Sequence, residues 1–215
     1  MNATVVDPSL LQRLRAKLSE YDIFFLCDKT GSMNEPVKSS EPNGTTRWNY
    51  MQEVLRDIIK TANEIDDDGI TLGFFSGSNF PMYENVTSEK AKEILNSVTP
   101  GGGTYLGPAL QQMFAKAGGT AKKDLIVIML DGEVADRDDT IAQLVAQANK
   151  QDNDNACTVL FVQVGDDAGA KNFLKYLDDN LVSKHGAKFD IVDTKTVDEI
   201  GSKPFEVVLA EAIVD

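Results

Sequence analysis

Residues 23–33 read IFFLCDKTGSM, an apolar run followed at once by Asp28, Thr30 and Ser32. A short apolar run rich in Phe and Ile is typical of a strand that is buried on both faces of a parallel sheet. Such a strand would end in one carboxylate and two hydroxyls, which suit Mg²⁺, Mn²⁺ or Ca²⁺. By itself the segment leaves three interpretations open: a metal site, an aspartate that carries a phosphoryl group, or a helix cap.

Apolar runs of the same kind recur along the chain and alternate with helical patterns. Further strands are predicted at 70–75, 80–86, 125–130, 157–164 and 189–192. Amphipathic helices are predicted at 8–20, 47–63, 88–98, 140–150, 168–179 and 204–213, and one more ends near residue 117. This alternation predicts an α/β fold, with a doubly wound, mostly parallel central sheet and helices on both faces. We expect one domain at 21–215, with a helical extension at 1–20 packed on it.

Polar side chains fall where ligands bind in a doubly wound sheet, at the carboxyl ends of the strands. Asp28, Thr30 and Ser32 follow the first strand, Thr104 follows the glycine loop 101–103, and Asp131 follows the strand 125–130. Glycines let a loop backbone approach a site closely, which would bring Thr104 near the first strand. If the first strand neighbours 125–130, Asp28 and Asp131 face one another across the crevice.

The segment Asp28-Lys29-Thr30-Gly31-Ser32, then Thr104 in GGGT and Asp131 in LDG, resembles the metal-ion-dependent adhesion site of von Willebrand factor A domains. These domains are also called integrin I-type domains, and their site is written D-x-S/T-x-S, a distant Thr and a distant Asp. All parts of that set are present here. The resemblance covers roughly residues 20–215 and implies a Rossmann-like fold of the stand-alone type that occurs in bacteria and phages.

The resemblance implies a protein-binding module without catalytic activity. Asp28, Thr30, Ser32, Thr104 and Asp131 would hold Mg²⁺, or else Mn²⁺ or Ca²⁺, directly or through water. The metal would remain electrophilic, so that an Asp or Glu of a partner protein completes its coordination.

Three neighbouring features are candidates for selectivity. The polar stretch 34–46 emerges beside the proposed metal, although a plain surface loop is an equally simple interpretation. Trp48 follows it, and its plainer interpretation is a residue on the inward face of a helix. Residues 133–139 either shape the rim of the site or begin a solvated helix.

A second resemblance points to an enzyme. Asp28-Lys29-Thr30-Gly31-Ser32 is similar to the DKTGT segment of haloacid-dehalogenase-like phosphotransferases, in which the Asp accepts a phosphoryl group. In such a phosphohydrolase Asp28 would be the acceptor, and Ser76, Lys122 or Lys123, and Asp131 with Asp136, would take the other roles. Thr30 stands where the soluble hydrolases generally keep a second acidic residue, and GGGT has no place in that scheme. The binding module is therefore favoured.

Composition limits the remaining functional classes. The 215 residues carry a formal net charge of -13, which argues against a nucleic-acid-binding surface. No apolar run approaches a bilayer span and the N-terminus lacks the apolar core of a signal peptide, so we expect a cytoplasmic protein that binds no membrane and favours the monomer. Cys27 and Cys157 are expected as buried, reduced thiols. His185, the sole histidine, is expected in an exposed turn.

Overall fold

The computed structural model describes residues 7–66, 69–132 and 134–213. Within these ranges a six-stranded sheet has the order β3-β2-β1-β4-β5-β6. Its strands are β1 (Tyr21–Asp28), β2 (Ile70–Phe75), β3 (Met82–Val86), β4 (Lys123–Leu130), β5 (Cys157–Gln163) and β6 (Val192–Thr196). All neighbours are parallel except β3, which pairs antiparallel with β2. The sequence prediction of a mostly parallel sheet is confirmed, with β1 and β4 side by side at its centre.

Helices cover both faces of this sheet. They are α1 (Pro8–Leu18), α2 (Arg47–Ile65), α3 (Ser88–Ser97), α4 (Gly107–Lys116), α5 (Arg137–Lys150), α6 (Ala168–His185), α7 (Val197–Gly201) and α8 (Phe205–Ala212), and a 3₁₀ helix spans Gly31–Asn34. The first three helices and the last two contribute to the core on one face, and α4, α5 and α6 to the core on the other. Phe25 and Cys27 of β1 point into the first core, whereas Phe24 and Leu26 point into the second. Burial on both faces explains why β1 is a continuous apolar run.

The last strand and the sixth helix differ from their sequence predictions. The apolar pattern places a strand at 189–192, but the pairing with β5 runs from Val192 to Thr196. An edge strand tolerates polar residues, and here Asp193 and Lys195 pair with each other at 2.7 Å, so hydropathy does not mark the strand. Helix α6 continues to His185 and ends at Gly186, whose φ of 74° gives the left-handed cap. The turn predicted at His185 is therefore wrong, and its Nε2 lies 2.8 Å from the Tyr176 hydroxyl.

The described part of the N-terminal extension packs on the domain through α1. Arg15 forms ion pairs with Glu206 of α8 at 2.6 Å and with Glu64 of α2 at 3.0 Å. Leu18 is completely buried in the core. The extension thus joins helices from both ends of the chain, and residues 1–6 lie outside the described ranges.

Both cysteines are buried free thiols, as predicted. Burial in apolar surroundings raises the pKa of Cys27 and of Cys157, so that both stay protonated at neutral pH. Among the described helices, no stretch combines the length and the apolar composition that crossing a bilayer requires.

The buried carboxyl of Asp124, at the amino end of β4, should make the stability of the protein depend on pH. Asp124 is 5% exposed, and burial together with the nearby charge of Asp22 raises its pKa to about 6, although Gly118 N–H donates to it at 3.1 Å. A pKa that is higher in the folded than in the unfolded state gives a stability that is complete at low pH and is lost as the pH rises through 6. We expect Asp124→Asn to match the wild type near pH 4 and to exceed its free energy of unfolding by about 2 kcal/mol at neutral pH. Urea denaturation at both pH values measures this difference, and a pH-independent difference would contradict the assignment.

Candidate metal centre

Two carboxylates lie side by side at the carboxyl ends of β1 and β4. The strands pair up to Cys27 and Met129, so Asp28 and Asp131 emerge at the same edge of the sheet. The exposed fraction of both aspartates is 0%, and Thr30 is equally buried at 1%. The parallel pairing of two central strands is thus what brings together residues that are far apart in the sequence.

Four of the five predicted ligands form one connected cluster. Thr30 N–H donates to Asp28 Oδ1 at 2.7 Å, and the Thr30 and Ser32 hydroxyls lie 3.1 Å apart. Ser32 Oγ in turn donates to Asp131 Oδ1 at 3.0 Å. The 3₁₀ helix Gly31–Asn34 carries Ser32 back over the end of β1, which is how the two-residue spacing of the motif becomes a single site.

The fifth predicted ligand, Thr104, lies on a backbone segment that packs against this cluster. In the glycine loop, Gly101 N–H donates to the Lys29 carbonyl at 2.7 Å, and Gly31 N–H donates to the Gly102 carbonyl at 3.0 Å. The Thr104 carbonyl accepts from Ala135 N–H at 2.8 Å, in the connection between β4 and α5. The structure therefore places the Thr104 segment between the β1 turn and the β4 turn. The role of its hydroxyl as a ligand remains a prediction.

Asp136 fixes the start of the helix that follows Thr104. Its two carboxylate oxygens accept the Leu106 and Gly107 N–H groups, each at 2.9 Å. The residue thus holds the glycine loop against the β4 turn. Glu133, the first of the residues considered for the rim, lies outside the described residues.

One oxygen of the cluster has no protein partner in the described structure. Asp28 Oδ2 is buried without a hydrogen bond, and an unsatisfied buried carboxylate oxygen costs folding free energy. Burial first, and then the charge of Asp131, raise the pKa of Asp28. Burial also raises the pKa of Asp131, against the opposing effect of Arg47. A divalent cation would satisfy the free oxygen and neutralise both charges.

The chemistry of the donors selects the kind of cation. Two carboxylates and the neighbouring hydroxyls are oxygen ligands, which Mg²⁺, Mn²⁺ and Ca²⁺ prefer over softer alternatives. Across residues 7–66, 69–132 and 134–213, no group of three or more His, Cys, Asp or Glu side chains is arranged to hold a metal. With only two carboxylates and neutral hydroxyls as donors, the cluster around Asp28 suits a hard divalent ion that keeps part of its water shell.

Arg47 is a member of the site that sequence reasoning missed. Its Nη1 lies 3.0 Å from Asp131 Oδ2 and 3.3 Å from Glu35 Oε2. In the sequence Arg47 is only the first residue of a predicted helix, and no spacing rule relates it to the ligand motif. Its role depends on the way in which the intervening loop folds back.

The polar stretch 34–46 is closed by two backbone hydrogen bonds at its base and is attached to the β5–α6 connection by a third hydrogen bond. Val37 N–H donates to the Thr45 carbonyl at 2.9 Å, and Arg47 N–H donates to the Glu35 carbonyl at 2.8 Å. Ser39 Oγ donates to Asp166 in the β5–α6 connection at 3.0 Å.

Trp48, just beyond this loop, has a packing role. It is buried, and its ring centroid lies 6.1 Å from that of Phe74. This agrees with the interpretation of Trp48 as a residue on the inward face of a helix.

The two lysines that the phosphotransferase interpretation requires lie far from Asp28. Lys122 Nζ pairs with Asp66 at 3.0 Å and Lys123 Nζ with Glu20 at 3.3 Å, at the amino end of β4. The length of β4, roughly 20 Å at about 3.3 Å per residue, separates them from the edge that carries Asp28. Neither lysine can assist chemistry at that carboxylate.

Comparison with known proteins points to one family. The sequence profile of the von Willebrand factor type A domain matches residues 23–133. Comparison with curated protein sequences gave no match.

Several solved structures share the fold at low sequence identity. A mutant of the PilB minor pilin from Streptococcus sanguinis superposes with a TM-score of 0.63 at 15% identity, covering 89% of this chain and 61% of the pilin. Manganese-loaded TRAP protein from Plasmodium vivax gives 0.55 at 16% identity, with 88% and 74% covered. Proximal thread matrix protein 1 from the mussel byssus, with a zinc-occupied MIDAS motif, gives 0.53 at 15% identity, with 90% and 46% covered. The chain thus spans less than two thirds of the pilin and of the byssus protein.

A charge-removing substitution tests the metal site directly. We expect Mg²⁺ or Mn²⁺ at a hundredfold excess over its dissociation constant to stabilise the wild type by about 2.7 kcal/mol. Asp28→Asn should abolish this effect, yet the metal-free variant should be at least as stable as the wild type because a buried charge is removed. Asp124→Asn is the matched control, since it also neutralises a buried strand carboxyl but lies at the other end of the sheet and should keep the metal effect. Thermal unfolding with and without metal measures the metal-free stability and the metal-dependent stabilisation of each variant. If no divalent ion stabilised the wild type, the proposed site would be refuted.

Two glycines in the left-handed backbone region allow a test of whether the glycine loop contributes to metal binding. One lies in the loop, and the other serves as a control for the general loss of stability. Gly102 (φ 89°) and Gly118 (φ 76°) both adopt positive φ, but an added Cβ would lie 2.4 Å from Ser76 Oγ only at Gly102. Gly102→Ala and Gly118→Ala should each lose about 1–2 kcal/mol from the left-handed backbone. Only Gly102→Ala should also weaken the stabilisation by Mn²⁺, because the loop that carries Thr104 must shift. If Mn²⁺ stabilised both variants equally, the glycine loop would not contribute to metal binding.

Proposed function

Because the chain belongs to the von Willebrand factor type A domain family, we propose that it is a divalent-metal-dependent protein-binding module rather than an enzyme. The observation that carries the proposal is the buried, partnerless Oδ2 of Asp28 beside a second buried carboxylate. Such a pair calls for a cation, and the hydroxyls that surround it are suited to holding one.

In this proposal Asp28, Thr30, Ser32, Thr104 and Asp131 hold the ion, directly or through water. Mg²⁺ is preferred because it retains waters and accepts few carboxylates, and Mn²⁺ or Ca²⁺ are the alternatives. When bound, the ion supplies Lewis acidity toward an oxygen ligand from outside the chain. One solved structure of the same fold is manganese-loaded and another has a zinc-occupied MIDAS motif, which supports the proposal that this chain binds a divalent ion.

The partner is proposed to present an Asp or Glu that completes the coordination of the ion. The net charge of -13 repels an acidic partner at a distance, so the attraction has to come from a local cationic site. Without the ion, two carboxylates would face the partner's carboxylate and oppose binding. The partner should therefore bind only when the ion is present.

The surface around the site contains an aromatic residue that suits a protein interface. Tyr105 follows Thr104 directly and is 46% exposed, one of three large hydrophobic residues that are strongly exposed among the described residues. Aromatic residues are enriched at the centres of protein interfaces. We propose that Tyr105 and the loop 34–46 contact the partner around the metal. Bacterial or phage origin, cytoplasmic location and a monomeric state remain predictions of the sequence.

Affinity capture tests the function. The tagged wild type is incubated with lysate of the source cells in the presence of Mg²⁺, and bound proteins are identified before and after addition of a chelator. A specific partner should be released by the chelator, should be absent with Asp28→Asn and should be retained with Asp124→Asn. A partner that stays bound with the chelator would contradict metal dependence. Hydrolysis of acetyl phosphate that depends on Asp28 would contradict the absence of catalysis.

A further inference from the structure

Arg47 places a buried positive charge beside the candidate metal site. The residue is 7% exposed, and its Nη1 donates to Asp131 Oδ2 at 3.0 Å. Gly165 makes room for this side chain, since an added Cβ there would lie 3.0 Å from Arg47 Nε. The guanidinium is thus enclosed by the protein and aimed at a carboxylate predicted to bind metal.

The position of Arg47 in its helix argues against a role in helix stability. Arg47 is the first residue of α2, which is 19 residues long. The amino end of a helix carries a partial positive charge, so a cation there is unfavourable. Burial adds a further cost, and Arg47 Nε has no hydrogen-bond partner within the described structure. The ion pair with the buried Asp131 offsets most of these costs, since the second partner, Glu35, is 61% exposed.

The two site carboxylates are therefore not equivalent. Both oxygens of Asp131 are engaged, Oδ1 by the Ser32 hydroxyl and Oδ2 by Arg47, whereas Oδ2 of Asp28 is free. A divalent ion that binds Asp131 would share this carboxylate with Arg47, and the two positive charges would repel one another. Glu35 is the available alternative partner, because its Oε2 already lies 3.3 Å from Arg47 Nη1 and its side chain is 61% exposed.

We propose that Arg47 is the resident cation of the site, which competes with the divalent ion for Asp131 and lowers the affinity for that ion. The inference rests on the proposed metal site and concerns its regulation. The carboxylates contribute two negative charges and Arg47 returns one, which reduces the like-charge repulsion in the metal-free site. With a divalent ion bound, the charges of Asp28, Asp131, Arg47 and the ion sum to one positive charge, and Glu35, whose side chain is 61% exposed, offsets it only through a solvent-screened contact with Arg47. The affinity is thus held low, in favour of an anionic partner that supplies the missing negative charge.

Metal titration of partner-free protein tests the inference without any assay of function. Binding of Mn²⁺ is measured by calorimetry and by electron paramagnetic resonance for the wild type, Arg47→Met and Arg47→Lys. Removing a full positive charge within a few ångströms of the ion should raise the Mn²⁺ affinity at least about tenfold in Arg47→Met. Arg47→Lys, which keeps the charge, should stay near the wild type. Arg47→Gln, which keeps a polar head, serves as a second neutral variant if the methionine reduces the yield of folded protein.

The matched control is Arg56→Met on the same helix. Arg56 is exposed and contacts Asn96 at 3.1 Å, away from the site, so its removal changes the net charge equally but should leave Mn²⁺ affinity unchanged. A purely structural Arg47 would lower stability without raising Mn²⁺ affinity, and unchanged or weaker binding in the neutral variants would overturn the inference while the proposed function stands. Binding by the neutral variants but not by the wild type would support the inference, because the wild type would then need the partner's carboxylate to retain the ion. Absence of Mn²⁺ binding in all variants would refute both.

Discussion

The burial of two carboxylates at adjacent strand ends is the constraint around which one edge of the molecule is organised. Asp28 and Asp131 have no exposed surface, and like charges in such a place destabilise one another. Every polar group nearby offsets part of this cost: Thr30 N–H and the Ser32 hydroxyl donate hydrogen bonds, and Arg47 supplies a charge. One oxygen of Asp28 has no hydrogen-bond partner in the described part of the chain, and the proposed divalent ion would satisfy it.

The paired central strands make this arrangement possible because they hold the site residues in fixed positions. Strands β1 and β4 are paired along seven residues and buried on both faces, so their ends are fixed in relation to one another. The glycine loop is then pinned to β1 through Lys29 and Gly31, and to the β4 side through Asp136. A site made of short side chains requires such positioning, since neither Thr30 nor Ser32 can reach far.

Charge links the site to its proposed role. The chain as a whole is acidic, yet the proposed metal and Arg47 together would form a local positive centre at the carboxyl edge of the sheet. An acidic group from a partner would be attracted to this centre. Arg47 limits the strength of metal binding in the free protein, so metal and partner would stabilise each other when both are present.

Much of the fold and the candidate ligand set could be predicted from the sequence. The apolar runs marked β1, β2, β4 and β5 because burial on both faces leaves no polar position. The motif at the strand ends named five candidate ligands, and the structure brings four of them into one cluster. The polar edge strand β6 was misplaced, because an edge strand needs no apolar pattern.

Only the tertiary structure could decide the electrostatics of the site. By itself the sequence determined that Asp28 and Asp131 each follow the end of a buried strand, because these positions are set by local spacing, whereas the pairing of β1 with β4 brings them together. The pairing of Arg47 with Asp131, the free oxygen of Asp28 and the attachment of the loop 34–46 to Asp166 depend on contacts between distant segments. Such contacts leave no periodicity in the chain, since they are set by how the loops close over the sheet.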